Sequence, residues 1–378
     1  MMPLGDTHWV VDQAKTLGFD LCGIVRPEKF PELEQTAEWL RRGYAGEMKY
    51  LSDPRRCDPQ AAMPGIRSVV VGLLNYSTAR PLSTDPALPI NDAQPAGWIS
   101  RYAWGDDYHH VLLERLDSLV ESLRERFKGP FEARAYVDTG PVQERVLAKY
   151  AGLGWLGKNT LLLNQMLGSF FFLGVILTTL DLQPTLAENE LPPPDLCGSC
   201  RRCLDACPTQ AFIEPYVMDA RKCISYLTIE LRGSIPEEFR EPMGNHVFGC
   251  DICQDVCPWN RRAPIVPTPQ FQPRALPAAE EDRTETLRAA QDETLYLPRL
   301  EWLVGLTETD FRELFRGSAV RRAKWRGLIR NSCIAVGNSG LRQGMADHAR
   351  ICDRLKQLAA SEDHVLAESA RWALSRIQ

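Results

Sequence analysis

The sequence lacks an apolar run long enough to cross a membrane. The longest run, residues 170–180, contains a glycine and two threonines and is typical of a buried strand. The first residues show neither the basic region nor the apolar stretch of a secretory signal, which predicts a cytoplasmic chain that needs no membrane. The net charge of −5 provides no global basic field, so any contact with nucleic acid must come from a local patch.

Nucleotide-binding loops are lacking as well. No Gly-x-Gly-x-x-Gly follows a strand candidate, and no Walker A loop occurs anywhere in the chain. A domain that binds a dinucleotide is therefore not indicated.

Cysteine, in contrast, is abundant and unevenly placed. Four of the twelve cysteines stand alone, at positions 22, 57, 333 and 352, and the other eight lie within residues 197–257. In a reducing compartment, eight clustered cysteines indicate metal binding rather than disulfides. The spacing C-x2-C-x2-C-x3-C-P, typical of bacterial ferredoxins with [4Fe–4S] clusters, is formed by Cys197, Cys200, Cys203, Cys207 and Pro208.

A second, irregular set of cysteines follows downstream. In double-cluster modules, the last cysteine of each run binds the other cluster. This crossing predicts one cluster on Cys197, Cys200, Cys203 and Cys257, and another on Cys207, Cys223, Cys250 and Cys253. Two zinc sites or a set of disulfides are the alternatives, although zinc favours paired C-x2-C knuckles. Two clusters imply one-electron chemistry, with electrons arriving from a separate carrier such as a flavodoxin or ferredoxin.

Composition divides the chain into four segments. Residues 1–190 read as α/β, with a first helix capped by Asp6 and ended by Gly18, another helix over 108–127, and strands over 21–25, 68–74, 133–137 and 170–177. The cluster module spans residues 191–262. Residues 263–299 are rich in proline and contain the acidic run 280–282, which indicates a linker or a connection that follows the surface.

The last segment, residues 300–378, is helical. Residues 334–337 match residues 372–375 at an offset of 38 residues, which suggests paired helices of the HEAT kind. Two copies make a short stack that must pack against the rest of the protein. Two unrelated amphipathic helices are the alternative.

Polar residues in the first segment suggest a catalytic site. Asp138 follows a strand candidate, where it fits a general acid if burial raises its pKa, or a cap of the next helix. Residues 152–159 hold three glycines, which permit close backbone approach to a ligand, and the donors Lys158 and Asn159. Residues 100–110 crowd aromatic, charged and histidine side chains around Gly105, which indicates a pocket wall, with Asp106 or Asp107 as a helix cap.

Basic residues concentrate in one stretch near the C-terminus. Residues 311–330 contain seven arginines and lysines against one acid, with Trp325 among them. Such a patch suits a phosphate backbone, although a solvated helix face paired with acids elsewhere explains it equally well.

Together these motifs resemble the epoxyqueuosine reductase (QueG) family over essentially the whole chain. The resemblance is carried by the eight cysteines and by residues 137–141, 152–159, 168–174 and 223–230. It implies an α+β protein with a nitroreductase-like cobalamin-binding α/β domain, a ferredoxin-like double [4Fe–4S] module and C-terminal α-helical HEAT-like repeats. It further implies a cobalamin-dependent enzyme that reduces the epoxide of epoxyqueuosine at the wobble position of tRNA, which is the last step of queuosine biosynthesis.

The resemblance also implies roles for individual residues. Asp138 matches the family's proton donor, and Tyr108 and His109 match pocket residues near the substrate. The cofactor contacts that it implies are Arg56, Ser100, Arg101, Asp138, Trp155, Lys158, Asn159 and Ser225. The anticodon stem-loop of a tRNA with a GUN anticodon would be held by Arg321, Arg322, Lys324, Arg326 and Arg330. We expect a monomer.

The sequence departs from cobalamin-binding patterns in two places. The base-off signature Asp-x-His-x-x-Gly begins at Asp107 and His109, but Leu112 stands where glycine is required, so the match is a coincidence. Ser100 occupies a position where some family members carry cysteine, and no axial ligand of cobalt is assigned. Two other functions remain open: a dehalogenase-like cobalamin and iron–sulfur enzyme acting on a small molecule, and a non-catalytic electron-transfer protein.

Overall fold

A computed structural model describes residues 2–88, 94–275 and 294–377. The α-helices are α1 (Leu4–Thr16), α2 (Pro31–Arg41), α3 (Pro59–Ala62), α4 (Tyr108–Arg126), α5 (Glu144–Tyr150), α6 (Arg202–Asp205), α7 (Ile224–Ile229), α8 (Glu237–Arg240), α9 (Ile252–Asp255), α10 (Leu300–Gly305), α11 (Glu308–Leu314), α12 (Lys324–Asn338), α13 (His348–Ala359) and α14 (His364–Arg376). The strands are β1 (Leu21–Val25), β2 (Ser68–Asn75), β3 (Trp98–Ile99), β4 (Ala133–Tyr136), β5 (Trp155–Leu156), β6 (Leu162–Leu163), β7 (Phe171–Thr178), β8 (Phe212–Glu214), β9 (Val217–Met218) and β10 (His246–Phe248).

Short 3-10 helices connect several of these elements. They are Lys49–Ser52, Pro54–Cys57, Arg101–Ala103, Ala220–Lys222, Pro258–Arg262, Pro269–Phe271 and Ala319–Ala323. In the described parts of the chain, no helix combines the length and apolar character that crossing a bilayer requires.

A four-stranded antiparallel sheet in the order β1-β2-β7-β4 forms the centre of the N-terminal part. Strands β2 and β7 are buried on both faces, because alternate side chains enter two different cores. Val70 faces α1 and α4, whereas Val69 and Val71 face α5 and the segments before β2. The four predicted strands and the helix over 108–127 are thereby confirmed.

The first helix differs from the prediction at its start. It begins at Leu4 and is preceded by Pro3, so Asp6 lies in the first turn, where it pairs with Arg126 instead of capping. Acidic residues stabilise this turn through the helix dipole wherever they sit within it, which is why the sequence misplaced the cap. Gly18, with φ of +89°, follows the end of the helix as expected.

The C-terminal helices share a core with earlier parts of the chain. Trp98, Trp104 and Phe248 lie in one hydrophobic cluster with α10–α14. Helices α12 and α14, which carry the internal sequence match, pack so closely that a Cβ on Gly337 would lie 2.5 Å from the Trp372 ring. The C-terminal helices therefore bury their apolar side chains against earlier parts of the chain, and their assignment as HEAT-like repeats stays a prediction.

The described parts of the predicted linker follow the protein surface. The backbone N–H of Val266 donates to the carbonyl of Ser77 at 3.0 Å, that of Arg274 donates to the carbonyl of Trp104 at 2.8 Å, and Phe271 is buried. The acidic run 280–282 lies outside the described residues.

Candidate active site and cluster module

Asp138 stands just beyond the end of β4 in a strained backbone conformation. Its φ is +58°, in the left-handed region that a side chain disfavours, and its N–H donates to Oε1 of Glu144 at 2.7 Å. Helix α5 begins at Glu144 and is preceded by Gln143. Asp138 is therefore not a helix cap, and the alternative interpretation of this residue is wrong.

Two residues from the first turn of α4 face the Asp138 carboxylate. The Tyr108 hydroxyl donates to Oδ2 of Asp138 at 3.0 Å, and Nε2 of His109 lies 3.8 Å from the same oxygen. The other imidazole nitrogen, Nδ1, lies 2.7 Å from Oδ1 of Asp107, which also accepts the His109 N–H and so caps the helix. The Tyr108 ring stacks on Phe172 with centroids 4.4 Å apart. The structure thus brings Asp138, Tyr108 and His109 together.

The proton at this site resides on histidine rather than on aspartate. Desolvation lowers the pKa of His109, but the carboxylates of Asp107 and Asp138 outweigh it and raise the pKa to about 9. Desolvation raises the pKa of Asp138, but His109 and Tyr108 outweigh it and hold the pKa below its ordinary value. The expectation that burial would make Asp138 a neutral acid is therefore wrong, because the partners supplied by α4 favour the ionised form.

Glu144 is a residue of this site that the sequence reasoning missed. Burial, followed by the nearby charge of Asp138, raises its pKa to about 8, so its carboxyl is protonated at neutral pH. Asp107 was considered only as a cap. The only sequence signal for these two residues is their position. Asp107 directly precedes the Tyr108–His109 pair, and Glu144 follows Asp138 by six residues.

These side chains and Tyr102 bound a region that faces solvent at Asp138, and we call this region the cleft. The Asp138 side chain is 68% exposed to solvent. Desolvation by the surrounding protein is nevertheless the largest single influence on its pKa. Tyr102 packs edge-on against Tyr108, with centroids 5.9 Å apart, and its hydroxyl pKa is raised well above the ordinary value by burial. Arg56 lies beyond Glu144, where its guanidinium donates to the carbonyls of Tyr50 and Val142. The stacked aromatic rings and the exposed carboxylate are the kinds of groups that contact a large planar cofactor.

Two expected cofactor contacts point away from the cleft. The buried guanidinium of Arg101 donates to the backbone carbonyls of Thr78, Arg80 and Pro81 and so fixes that segment. The buried Ser100 hydroxyl donates to Asp251. Both side chains are buried and bound to other parts of the chain, while Nε of Arg101 has no hydrogen-bond partner among the described residues. Their role as cofactor contacts stays a prediction.

The eight clustered cysteines form two groups of four thiols. The pKa of Cys203 is raised to about 11 by burial and then by the nearby thiols of Cys257, Cys197 and Cys200. The pKa values of Cys253 and Cys250 are raised by burial and then by Cys223, and that of Cys253 also by Cys203 and Cys207. We call Cys197, Cys200, Cys203 and Cys257 the first group, and Cys207, Cys223, Cys250 and Cys253 the second group. This division is the one that the crossed spacing predicts, and it stays a prediction.

All twelve cysteines are free thiols, so the disulfide alternative does not hold in this structure. Among the described residues, no three His, Cys, Asp or Glu side chains converge into a site for a single metal ion.

The glycine-rich segment 152–159 packs against the cluster module. Nζ of Lys158 donates to the carbonyls of Gly198 and Cys200 at 2.5 and 3.0 Å, and Nδ2 of Asn159 lies 3.4 Å from the carbonyl of Cys253. These two residues therefore bind the loops that carry both thiol groups.

The glycines of this segment serve contacts within the chain. A Cβ on Gly154 would lie 2.1 Å from the carbonyl oxygen of Leu163, and one on Gly152 would lie 2.8 Å from Leu186. The expectation that they bring the backbone close to a ligand is wrong, because neighbouring chain fills that space.

Trp155 offers an unused hydrogen-bond donor to the first thiol group. Its indole is buried beside Cys257. The indole also lies near the Cys197 thiol and lowers the pKa of that thiol. Among the described residues, its Nε1 has no oxygen or nitrogen acceptor. An N–H directed at thiolate sulfur suits an iron–sulfur cluster, whose potential depends on such hydrogen bonds. The Trp155 N–H, which has no other acceptor, is the observation that supports an iron–sulfur cluster on the first group.

The second thiol group lies beside the cleft. Asp251, between Cys250 and Cys253, accepts hydrogen bonds from the Arg101 N–H and the Trp98 indole at 2.8 and 3.1 Å. A Cβ on Gly249 would lie 2.5 Å from Cβ of Ser100. The N–H of Ser225 is directed at the Cys223 thiol and lowers its pKa against the larger effect of burial, which places Ser225 at this group.

The basic stretch 311–330 separates into exposed and buried members. Arg321 and Lys324 are exposed, Arg322 is half-exposed and pairs with Glu230, and Arg326 pairs with Asp363 at 2.6 Å. Arg330 is only 1% exposed, and its guanidinium donates to the carbonyls of Leu227, Leu231 and Gly233. The prediction that Arg330 binds tRNA is wrong, because the side chain is enclosed and fully occupied.

A two-group thiol module that adjoins a cleft with a carboxylate and an imidazolium defines an iron–sulfur oxidoreductase. Residues 196–260 match the family model "4Fe-4S double cluster binding domain", and residues 56–139 match "Epoxyqueuosine reductase QueG, DUF1730". The chain carries two [4Fe–4S] clusters.

Curated relatives extend the match over the whole chain. The chain is 43% identical to an epoxyqueuosine reductase of Leadbetterella byssophila over 84% of its own length and 94% of the relative's. It is 38% identical to one of Pseudomonas aeruginosa, over 97% and 93%. The chain belongs to the epoxyqueuosine reductase family and is an enzyme.

Solved structures agree with this assignment. An epoxyqueuosine reductase crystallised with an epoxyqueuosine-modified tRNA-Tyr stem loop has a TM-score of 0.81 and 27% identity, covering 98% of this chain and 90% of that chain. A Bacillus subtilis epoxyqueuosine reductase has a TM-score of 0.80 and 26% identity over the same shares.

Proposed function

We propose that this enzyme reduces the epoxide of epoxyqueuosine at the wobble position of tRNA and so yields queuosine. Conversion of an epoxide to an alkene consumes two electrons and two protons and releases the oxygen as water. The observation that carries the proposal is the Asp138–Tyr108–His109 constellation, which lies beside two thiol groups in a chain of this family. One site thereby offers both protons and electrons.

Cobalamin is the proposed cofactor of the region beside Asp138 and Tyr102. When bound, it would supply a low-valent cobalt that attacks or reduces an epoxide carbon. Tyr102, Tyr108 and Arg56 are the residues that would hold it, and Asp138 would face its reactive side. Ser100 and Arg101 would support this wall from behind through Asp251.

The chain itself supplies the proton. His109 is an imidazolium at neutral pH and lies 3.8 Å from Oδ2 of Asp138. As the C–O bond breaks, negative charge grows on the epoxide oxygen, and a proton passes from His109 through Asp138 to that oxygen. His109 then takes up a proton from solvent, and this second proton follows the same route so that the oxygen leaves as water. Asp107 stabilises the imidazolium and keeps the ring oriented. In this scheme Asp138 delivers the proton, whereas His109 stores it.

Electrons reach the cleft through the cluster module. The second thiol group adjoins the cleft wall at Asp251 and Gly249, and Cys253 of that group lies near Cys203 of the first. This arrangement makes the first group the outer station and the second group the inner one.

The exposed arginine and lysine side chains at the start of α12 would bind the anticodon arm. Arg321, Arg322 and Lys324 present positive charge, and a relative has been crystallised with the epoxyqueuosine-modified stem loop of tRNA-Tyr. RNA loops are recognised by splayed bases together with backbone phosphates, which requires such a surface beside the pocket. A tRNA with a GUN anticodon is the proposed partner.

The test compares Asp138→Ala with the unchanged protein after anaerobic cluster reconstitution and addition of cobalamin. Nucleosides from epoxyqueuosine-containing tRNA are separated by chromatography after reaction with a chemical reductant. We expect the variant to keep its cluster and cobalamin absorption but to form queuosine at least a hundredfold more slowly. Full turnover in Asp138→Ala would refute the role of Asp138, and no queuosine from the unchanged protein would refute the function.

A further inference from the structure

We propose that the surface over the first thiol group is the docking face for a small acidic protein that carries single electrons. We call this surface the carrier face and define it by Leu196, Arg201, Arg202, Ile213 and Tyr216. The inference rests on the proposed function, because it concerns how the enzyme's clusters are reduced. It assigns the point of entry and the charge of the partner.

Apolar side chains are exposed around the first thiol group. Leu196 precedes Cys197 and is 39% exposed, and Ile213 and Tyr216, in the β8–β9 hairpin, are 46% and 45% exposed. Exposed apolar groups that are gathered around one point mark a contact surface for another protein. Here that point is a buried redox centre, which suits a brief electron-transfer encounter.

The carrier face is held together by direct contacts. The Tyr216 N–H donates to the carbonyl of Lys158 at 3.1 Å, and the Tyr216 hydroxyl donates to Asp195. Asp195 in turn accepts the N–H of Cys197 at 2.8 Å. The hairpin and the Cys197 loop therefore form one surface, with the first thiol group directly beneath it.

Exposed arginines lie on the loop between Cys200 and Cys203 and after Cys257, and the exposed acids of the same segments are Asp195, Asp205 and Glu214. Arg201 and Arg202 lie between Cys200 and Cys203, and Arg261 and Arg262 end the 3-10 helix that follows Cys257. All four are exposed. Arg201 has an exposed ion pair with Asp205 at 3.5 Å, which costs little to break. These arginines match an acidic partner and would steer its approach.

The opposite end of the module has the reverse charge. Pro208, which follows Cys207 of the second group, lines a surface depression with Glu237, Glu238 and Glu241. An acidic carrier is repelled there and is guided to the first group instead.

The redox step at the carrier face transfers one electron and no proton. The reduced carrier loses one electron, and the cluster on the first thiol group gains it. Two such encounters supply the two electrons that the epoxide consumes. No co-reactant other than the carrier is needed.

The test measures cluster reduction without any tRNA turnover. The cluster-loaded protein is mixed with reduced flavodoxin in a stopped-flow instrument, and bleaching of cluster absorption gives a second-order rate constant. In the double variant Arg201→Glu/Arg202→Glu, we expect this constant to fall at least tenfold at low ionic strength and the deficit to shrink as salt is added. Ile213→Glu should also slow the reaction, but with little salt dependence.

A matched control carries the same charge change elsewhere. Arg124→Glu/Lys128→Glu alters two exposed residues at the end of α4 and should react with flavodoxin as the unchanged protein does. Photoreduction by 5-deazaflavin should reduce every variant equally, which shows that the clusters are intact. Queuosine formation driven by that reductant should be unaffected in the carrier-face variants.

The outcomes separate this proposal from the proposed function. Unchanged flavodoxin kinetics in Arg201→Glu/Arg202→Glu and Ile213→Glu would overturn the carrier face. Weaker binding of an anticodon stem-loop by the arginine variant, with unchanged flavodoxin kinetics, would assign the surface to RNA and also overturn it. Failure of the unchanged protein to make queuosine with 5-deazaflavin would count against the function alone, because cluster reduction is measured independently.

Discussion

The backbone N–H of Asp138 donates a 2.7 Å hydrogen bond to the side chain of Glu144, the first residue of α5. This bond holds Asp138 in a left-handed conformation that costs about 1 kcal/mol or more without support. In the Bacillus subtilis relative, the catalytic aspartate loop has been seen swung out of the active site. In this chain, the Glu144 side chain stabilises the left-handed conformation of Asp138.

Replacement of Glu144 tests this role. Glu144→Ala removes the acceptor and should lower kcat about tenfold to a hundredfold, since one lost buried hydrogen bond amounts to about 1–3 kcal/mol. Glu144→Gln keeps an acceptor oxygen and resembles the protonated carboxyl, so it should retain most activity. Queuosine formation with a chemical reductant is the measurement, and equal activity in both variants would contradict the role.

The pH dependence of turnover tests whether protonated His109 supplies the proton. Because the pKa of His109 is raised to about 9, the imidazolium persists at neutral pH and is lost as pH rises through that value. Activity should therefore fall on the alkaline side near pH 9. Asp107→Asn removes one of the two carboxylates that raise this pKa, and the alkaline limb should move towards pH 6.5, the ordinary value.

Glu144 also titrates on the alkaline side, with a pKa of about 8, and must be separated from His109. The comparison of Asp107→Asn with its parent is therefore repeated in a Glu144→Gln background, whose amide does not ionise. An alkaline limb that stays in place when Asp107 is changed, in both backgrounds, would show that the proton comes from another group.

The indole of Trp155 should tune the first cluster. Its unpaired N–H faces the Cys197 thiol, and a hydrogen bond to sulfur stabilises the reduced, more negative cluster. Trp155→Phe should shift that cluster's reduction potential to more negative values, on the order of tens of millivolts. Trp259→Phe, which alters the ring packed edge-on against Trp155, is the control. Potentiometric EPR titration measures both, and identical potentials would exclude the bond.

The basic stretch should divide into RNA-binding and structural residues. Arg321→Glu/Lys324→Glu should weaken binding of the anticodon stem-loop and flatten its salt dependence, with no change in melting temperature. Arg330→Met should instead destabilise the fold by about 3 kcal/mol or more, since the carbonyls of Leu227, Leu231 and Gly233 lose their donor. Unchanged RNA binding by Arg321→Glu/Lys324→Glu would show that these two side chains belong to an ordinary solvated surface.

Local sequence patterns were sufficient to predict the central elements and the thiol groups. The apolar period of α4 and the valine-rich β2 follow directly from burial, and the crossed cysteine spacing follows from the shape of the module. Asp138, Tyr108 and His109 could be placed together only through the family resemblance, because 30 residues separate Asp138 from Tyr108.

Contacts between distant segments explain the errors. Arg330 appeared basic and available, but its helix packs against the 227–233 segment and its charge is enclosed. The glycines of residues 152–157 predicted a close approach of the backbone to a ligand, but Leu163 and Leu186 occupy the space next to them. The lowered pKa of Asp138 required knowledge of its neighbours, which no single stretch of sequence contains.

The hydrogen bonds of Lys158 and Asn159 to both cysteine loops have a consequence for cluster assembly. These residues emerge from the ribosome well before Cys257, which completes the first group of ligands. All four strands of the N-terminal sheet also precede Cys197 in the chain, so we expect the sheet to form before the cysteine loops and iron delivery to succeed only once it has formed. Truncated nascent chains that end before this last ligand should leave the outer station without its full complement of iron.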